Sequence, residues 1–99
     1  MTSFEKLITN EKPVLVDFFA TWCGPCQMLI PILKQVKDTL GPRITVIKID
    51  VDKNQELASK LQVRGVPTMM LYQNGEQLWR QSGVLSKEEI IKKVLEKIN

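Results

Sequence analysis

One stretch limits the fold of this chain more than any other. Residues Val14 to Phe19 form a nearly continuous apolar run of strand length, interrupted only by Asp17. A strand with one wet face alternates polar and apolar residues, so a run without alternation reads as a strand buried on both faces. Such a strand needs a covering layer on each side. The chain supplies helical patterns before and after it. Phe4, Leu7 and Ile8 have helical spacing, with Thr2 or Ser3 as candidate caps. Beyond the run, Leu29, Ile32, Leu33, Val36 and Leu40 line one face of a segment from Cys26 to Leu40. Pro25 suits the first turn of that helix, Pro31 predicts a kink within it, and Gly41-Pro42 stops it.

The remaining elements follow with short connections. Ile44 to Val51 is a second β-rich run, and Asn54 is placed to cap a short helix bearing Leu57, Ala58 and Leu61. Thr68 to Tyr72 and Glu76 to Gln81 flank Asn74-Gly75, the strongest short hairpin signal there is. Ser86-Lys87-Glu88-Glu89 is a capping box, and Ile90, Ile91, Val94, Leu95 and Ile98 form the apolar stripe of a last helix. Strands separated by helices imply parallel pairing with right-handed crossovers, and the hairpin adds antiparallel strands. The expected fold is α/β, a mixed four-stranded sheet with helices on both faces. At 99 residues, one domain spanning 1–99 is expected, since two independent cores do not fit that length.

Composition removes several chemistries. Without histidine there is no Ser-His-Asp triad, no imidazole base and no imidazole metal ligand. Two cysteines alone cannot close a tetrahedral zinc site within one chain, so no metal is expected; a zinc or iron–sulfur site shared between two chains stays as a minor alternative. The net charge of +3 comes from scattered Lys and Arg, with no footprint for nucleic acid. No stretch approaches the roughly 20 apolar residues of a membrane span. Met1 to Lys12 lacks the apolar core and cleavage site of a secretory signal, although a chain whose signal had been removed would look the same.

The cysteines are Cys23 and Cys26, within Trp22-Cys23-Gly24-Pro25-Cys26. So short a loop constrains the unfolded chain little, which disfavours a structural staple and favours a reducing, cytoplasmic setting. The pair joins the end of a buried strand to the start of a helix. There the first-turn N–H groups and the helix dipole favour an anion, so the Cys23 thiol pKa is expected to be lowered. The thiolate is the attacking species in disulfide exchange. A CxxC that follows a strand and opens a helix is the arrangement of a redox motif.

The chain resembles the thioredoxin family over nearly its whole length. Val16-Asp17-Phe18-Phe19-Ala20-Thr21-Trp22-Cys23-Gly24-Pro25-Cys26 is similar to the family signature, and Gly65-Val66-Pro67-Thr68 to its cis-proline loop. Lys48-Ile49-Asp50, Asn74-Gly75 and Gly83 also fall where the family has them. The resemblance implies a protein-disulfide reductase in which Cys23 attacks a substrate disulfide and Cys26 resolves the mixed disulfide. It implies Asp17 as acceptor of the Cys26 proton, with a pKa raised by its apolar strand; the alternative is an exposed or salt-bridged carboxylate. Lys48 is expected to pair with Asp17 and tune it, or else to be a solvated strand lysine. The resemblance further implies a cis Pro67 that exposes the Val66 backbone to an extended substrate, Trp22 as a lid or a half-buried packing residue, and Gly24, Pro25, Gly83 and Val84 lining the same groove. Met28, Met69, Met70 and Trp79 read as packing. No bound cofactor is implied. Electrons would come from NADPH through a thioredoxin reductase, and the partners would be that reductase and disulfide-containing proteins.

Three departures accompany the match. Longer thioredoxins begin with a strand that here is missing or vestigial, which would leave Ile44 to Val51 at a sheet edge; a monomer is expected, and pairing through that edge is the alternative. Phe19 replaces a common Trp, and Gln27 stands where a basic residue usually follows the second cysteine. Competing readings are an oxidant or isomerase of the same fold, disfavoured by Gly24-Pro25, and a binding module in which the dithiol is incidental.

Overall fold

A computed structural model describes residues 1–98. The elements run α1 (Ser3–Ile8), β1 (Val14–Phe19), α2 (Gly24–Leu40), a 3-10 turn (Gly41–Arg43), β2 (Thr45–Asp50), α3 (Gln55–Lys60), β3 (Thr68–Gln73), β4 (Glu76–Ser82) and α4 (Lys87–Lys97). The sheet order is β2-β1-β3-β4, with β1–β2 parallel and the other two pairs antiparallel. The mixed four-stranded sheet expected from the sequence is thus present. No strand precedes α1 among the described residues, and β2 is an edge.

The unalternating β1 run is explained by a core on each face of the sheet. Leu15 of β1 and Met69 and Leu71 of β3 pack with Leu29, Leu33 and Val36 of α2 and Ile90 and Val94 of α4. Their neighbours Val14, Val16, Phe18, Met70 and Tyr72 point the other way, against Phe4 and Ile8 of α1, the partly buried Leu57 of α3 and Leu61 at its C-cap. Successive strand residues face opposite sides, so β1 and β3 each feed both layers. The Phe4 ring meets Tyr72 edge-on at 5.6 Å, which fixes α1 on the sheet.

Helix ends follow local chemistry. Thr2 and Ser86 both close capping boxes, with Glu5 and Glu89 respectively. Asn54 departs from expectation. It occupies the N-cap position of α3 without a capping bond. Its amide instead donates to the Asp50 carbonyl at 2.9 Å, tying α3 back to the end of β2. Helix α2 begins at Gly24 rather than Cys26, with Cys23 as its N-cap, and runs through Pro31 as one element. Met28 is 63% exposed and lies outside the core, whereas Met69 and Met70 are core. Trp79 is partly buried against the α2/α4 core, as packing requires.

The β3–β4 turn uses positive φ at both central residues, Asn74 at 55° and Gly75 at 81°. Its amides are anchored to the end of α1, Asn74 N–H on the Asn10 carbonyl and Gly75 N–H on the Ile8 carbonyl. A Cβ at Gly75 would be strained by its backbone and would stand 3.3 Å from Thr9 Oγ1. Gly75→Ala is therefore expected to cost about 1–2 kcal/mol. Thermal unfolding checks this, with Tm lower by about 5–10 °C; an unchanged Tm would contradict it.

Candidate active site

The carboxyl ends of parallel strands in an open α/β sheet are where ligands bind. Here the parallel pair β1–β2 ends at Phe19 and Asp50, and the chain leaving β1 passes directly into the cysteine pair. Cys23 and Cys26 are joined as a disulfide, with Cα atoms 5.2 Å apart. Both are buried, and they pack with Ala20 among Phe19, Val51 and Val66.

Cys23 sits at the N-cap of α2, and its Sγ accepts the Cys26 backbone N–H at 3.2 Å. An N-cap acceptor satisfies one of the unpaired donors of the first helical turn. In the dithiol protein the same N–H and the dipole of a 17-residue helix stabilise a Cys23 thiolate. Gly24 and Pro25 form the exposed first residues of the helix between the sulfurs. Proline costs no helical hydrogen bond at that point.

The loop before β3 closes on the sulfurs. The Val66–Pro67 bond is cis, and the Val66 carbonyl oxygen lies 3.6 Å from Cys23 Sγ. The disulfide sulfur has no hydrogen to give, so this is a contact, and only a protonated Cys23 thiol could donate across it. Gly83, at φ 89°, donates its N–H to the Pro67 carbonyl at 2.9 Å, which brings it to the same loop. Val84 lies beside it, half-buried against the α2/α4 core. Thr68 Oγ1 donates to the Gly65 carbonyl at 2.7 Å and steadies the turn.

Asp17 is fully buried, and neither carboxyl oxygen has a hydrogen-bond partner among the described residues. The exposed or salt-bridged alternative is therefore excluded. Strand alternation puts Asp17 on the face it shares with Leu15 and Phe19. Leu15 packs on α2 and Phe19 on the cysteine cluster, so the carboxyl lies under the first turns of α2. Burial raises its pKa to about 6, and the positive charge of Lys48 offsets that only in part. Lys48 stands opposite Asp17 in the β1–β2 register. It is exposed, makes no ion pair with Asp17, and holds its ammonium 6.0 Å from the Phe19 ring centroid.

Trp22 differs from the half-buried alternative. It is 72% exposed, and its indole N–H donates to Asp52 Oδ2 at 2.8 Å. No motif marks Asp52 in the sequence. Parallel pairing of β1 and β2 was the available signal, because it sets the residues after Asp50 beside those after Phe19. Among the described residues no cluster of three His, Cys, Asp or Glu could hold a metal ion, and no helix is long and apolar enough to cross a membrane.

Comparison with known proteins agrees with this geometry. The Thioredoxin family model matches residues 1–96. Thioredoxin Y2, chloroplastic, of Arabidopsis thaliana is 47% identical over 94 residues, covering 93% of this chain and 56% of the relative. The bifunctional thioredoxin reductase/thioredoxin of Mycobacterium leprae is 43% identical over 89 residues, covering 90% of this chain and 19% of the relative. A solved mutant thioredoxin from Halobacterium salinarum superposes with a TM-score of 0.88 at 37% identity, covering all of this chain and 86% of the other. The chain spans about half the length of the chloroplast relatives it matches. A family match over nearly every residue, the shared architecture and the cysteine pair at the strand–helix junction lead to one conclusion: the chain belongs to the thioredoxin family.

Proposed function

We propose that the chain is a protein-disulfide reductase acting by reversible dithiol–disulfide exchange. The observation that carries this reading is the Cys23–Cys26 disulfide at the mouth of α2, with Cys23 Sγ on the Cys26 N–H. In the reduced protein, the Cys23 thiolate attacks one sulfur of a substrate disulfide and expels the other as a thiolate. Cys26 then gives up its proton, attacks Cys23 Sγ in the mixed disulfide, and releases the second substrate thiol. The substrate gains two electrons and two protons, and the chain keeps the Cys23–Cys26 bond. Asp17, with a pKa of about 6 beneath α2, is suited to accept the Cys26 proton near neutral pH. Lys48 tunes that carboxyl through space. Val66, ahead of cis Pro67, offers a backbone edge to an extended substrate segment, bordered by Trp22 and by Gly83 and Val84.

The oxidised chain needs a reductant. A thioredoxin reductase fed by NADPH fits that need, and the name of the mycobacterial relative joins the two activities. In this reading the chain works as a single monomeric domain in the cytoplasm, on disulfide-containing proteins. The test is dithiothreitol-driven reduction of the interchain disulfides of insulin, followed by turbidity. The reading expects clear acceleration by catalytic amounts of the chain; a rate equal to dithiothreitol alone would overturn it.

A further inference from the structure

A groove of about 380 Å³ opens beside the cysteine site. Val51 is common to both: it packs against the cysteine cluster and lines the groove, whose other apolar walls are Ala58 and Val63. Arg64 also lines the groove and is its one charged residue. No hydrogen bond or ion pair engages the Arg64 guanidinium among the described residues, and the side chain is exposed. Two charged groups on the cysteine side of the groove are engaged. Asp52 holds the Trp22 indole, and Lys48 lies over Phe19.

The wall leading to Arg64 is fixed. Arg80 of β4 donates to the Leu61 and Gln62 carbonyls at 2.6 Å each, and Gln62 adopts a left-handed φ of 58°. Arg64 is two residues from Val66, whose carbonyl touches Cys23 Sγ. Gly65 and Val66 lie in a bend, and two residues span at most about 7 Å, so a substrate strand lying along Val66 passes within side-chain reach of Arg64.

We propose that Arg64 sets substrate preference, favouring protein disulfides with an acidic side chain two to four residues from the attacked cysteine. This rests on the disulfide-exchange reading above. An unpaired, exposed guanidinium at a groove of mixed polarity attracts a carboxylate during encounter and repels a cation, an effect that added salt screens.

The test uses disulfide-linked peptide pairs with Glu, Gln or Lys at each position two to four residues from the cysteine, with dithiothreitol as electron donor. The measured quantity is the Glu-to-Lys ratio of kcat/KM within each protein, so a change in overall rate cancels. The wild-type chain is expected to favour Glu by about two- to fivefold for at least one position, as for an exposed ion pair. The preference should appear in KM and shrink at 0.5 M salt. Arg64→Ala is expected to bring the ratio near one, and Arg64→Glu to invert it. A wild-type ratio near one at all positions, or a preference that survives Arg64→Ala, would overturn the proposal while leaving disulfide reduction intact. If the wild-type chain reduced none of the peptides, the disulfide-exchange reading would fall, and the proposal with it.

Discussion

Cys23→Ser is expected to bring insulin reduction down to the rate of dithiothreitol alone, while Cys26→Ser accumulates a covalent adduct with substrate. The two cysteines are distinguished by position. Cys23 is the N-cap of α2 and has its sulfur on a first-turn N–H, so it is the one whose thiolate the helix stabilises. A serine hydroxyl there has no accessible anion near neutral pH, and no mixed disulfide can form. Cys26 sits within the helix and is almost wholly buried, at 1% exposure, so it meets substrate only through the bond Cys23 has already made. Mass spectrometry of the Cys26→Ser protein mixed with a disulfide substrate should find one adduct per chain, released by dithiothreitol. Full turnover by Cys23→Ser, or an adduct on Cys26 in that variant, would reverse the assigned roles.

Asp17→Asn is expected to stabilise the fold at pH 7.5 by about 2–3 kcal/mol. The Asp17 carboxyl has a folded pKa of about 6 against an ordinary value of 3.8, because burial opposes its charge. A carboxyl with a raised folded pKa opposes folding once it ionises. The penalty is absent below the ordinary value, grows between about pH 4 and pH 6, and is complete above that. Asparagine carries no charge and leaves similar unpaired polar atoms, so the two proteins should be equally stable near pH 4. Urea unfolding at pH 4, 6 and 7.5 checks this. A stability difference that stays constant across the series would contradict the buried-charge account. Function pulls the other way. In the wild-type chain, resolution of the mixed disulfide is expected to speed up through pH 6 as Asp17 ionises, and the asparagine variant should lack that rise. A destabilising carboxylate retained beneath the active helix is what a stability–activity trade-off predicts.

Much of the fold was legible because single residue patterns decide it. The unalternating Val14–Phe19 run required layers on both faces, and the structure has a core on each. Asn74-Gly75 specified a hairpin turn whose two central residues must have positive φ. The Ser86 box marked the start of α4, while at α1 the sequence left Thr2 or Ser3 as the cap and the structure takes Thr2. Features that depend on distant partners were not legible. Asn54 could cap α3 by its type, yet its amide turns to the Asp50 carbonyl that tertiary structure brings near. The irregular pairing at Leu71/Tyr72 and the 3-10 turn at Gly41–Arg43 have no local pattern that sets them apart. The same division holds at the site. Cys23 and Cys26 announce themselves by spacing and context. The tether of Trp22 to Asp52, 30 residues away, and the groove at Arg64 arise from strand pairing and from the packing of α3 against the loop before β3.

The reduction potential of the Cys23–Cys26 couple tests the central claim most directly. It is measured by equilibrating the protein with defined dithiol–disulfide buffers, with Trp22 fluorescence or thiol alkylation as the readout. A reductase whose reduced form donates electrons to protein disulfides must lie at or below roughly −260 mV, the reducing end of the extracted glutathione range. A potential between about −180 and −120 mV, where disulfide-making members of this chemistry lie, would contradict the account and make the chain an oxidant or isomerase.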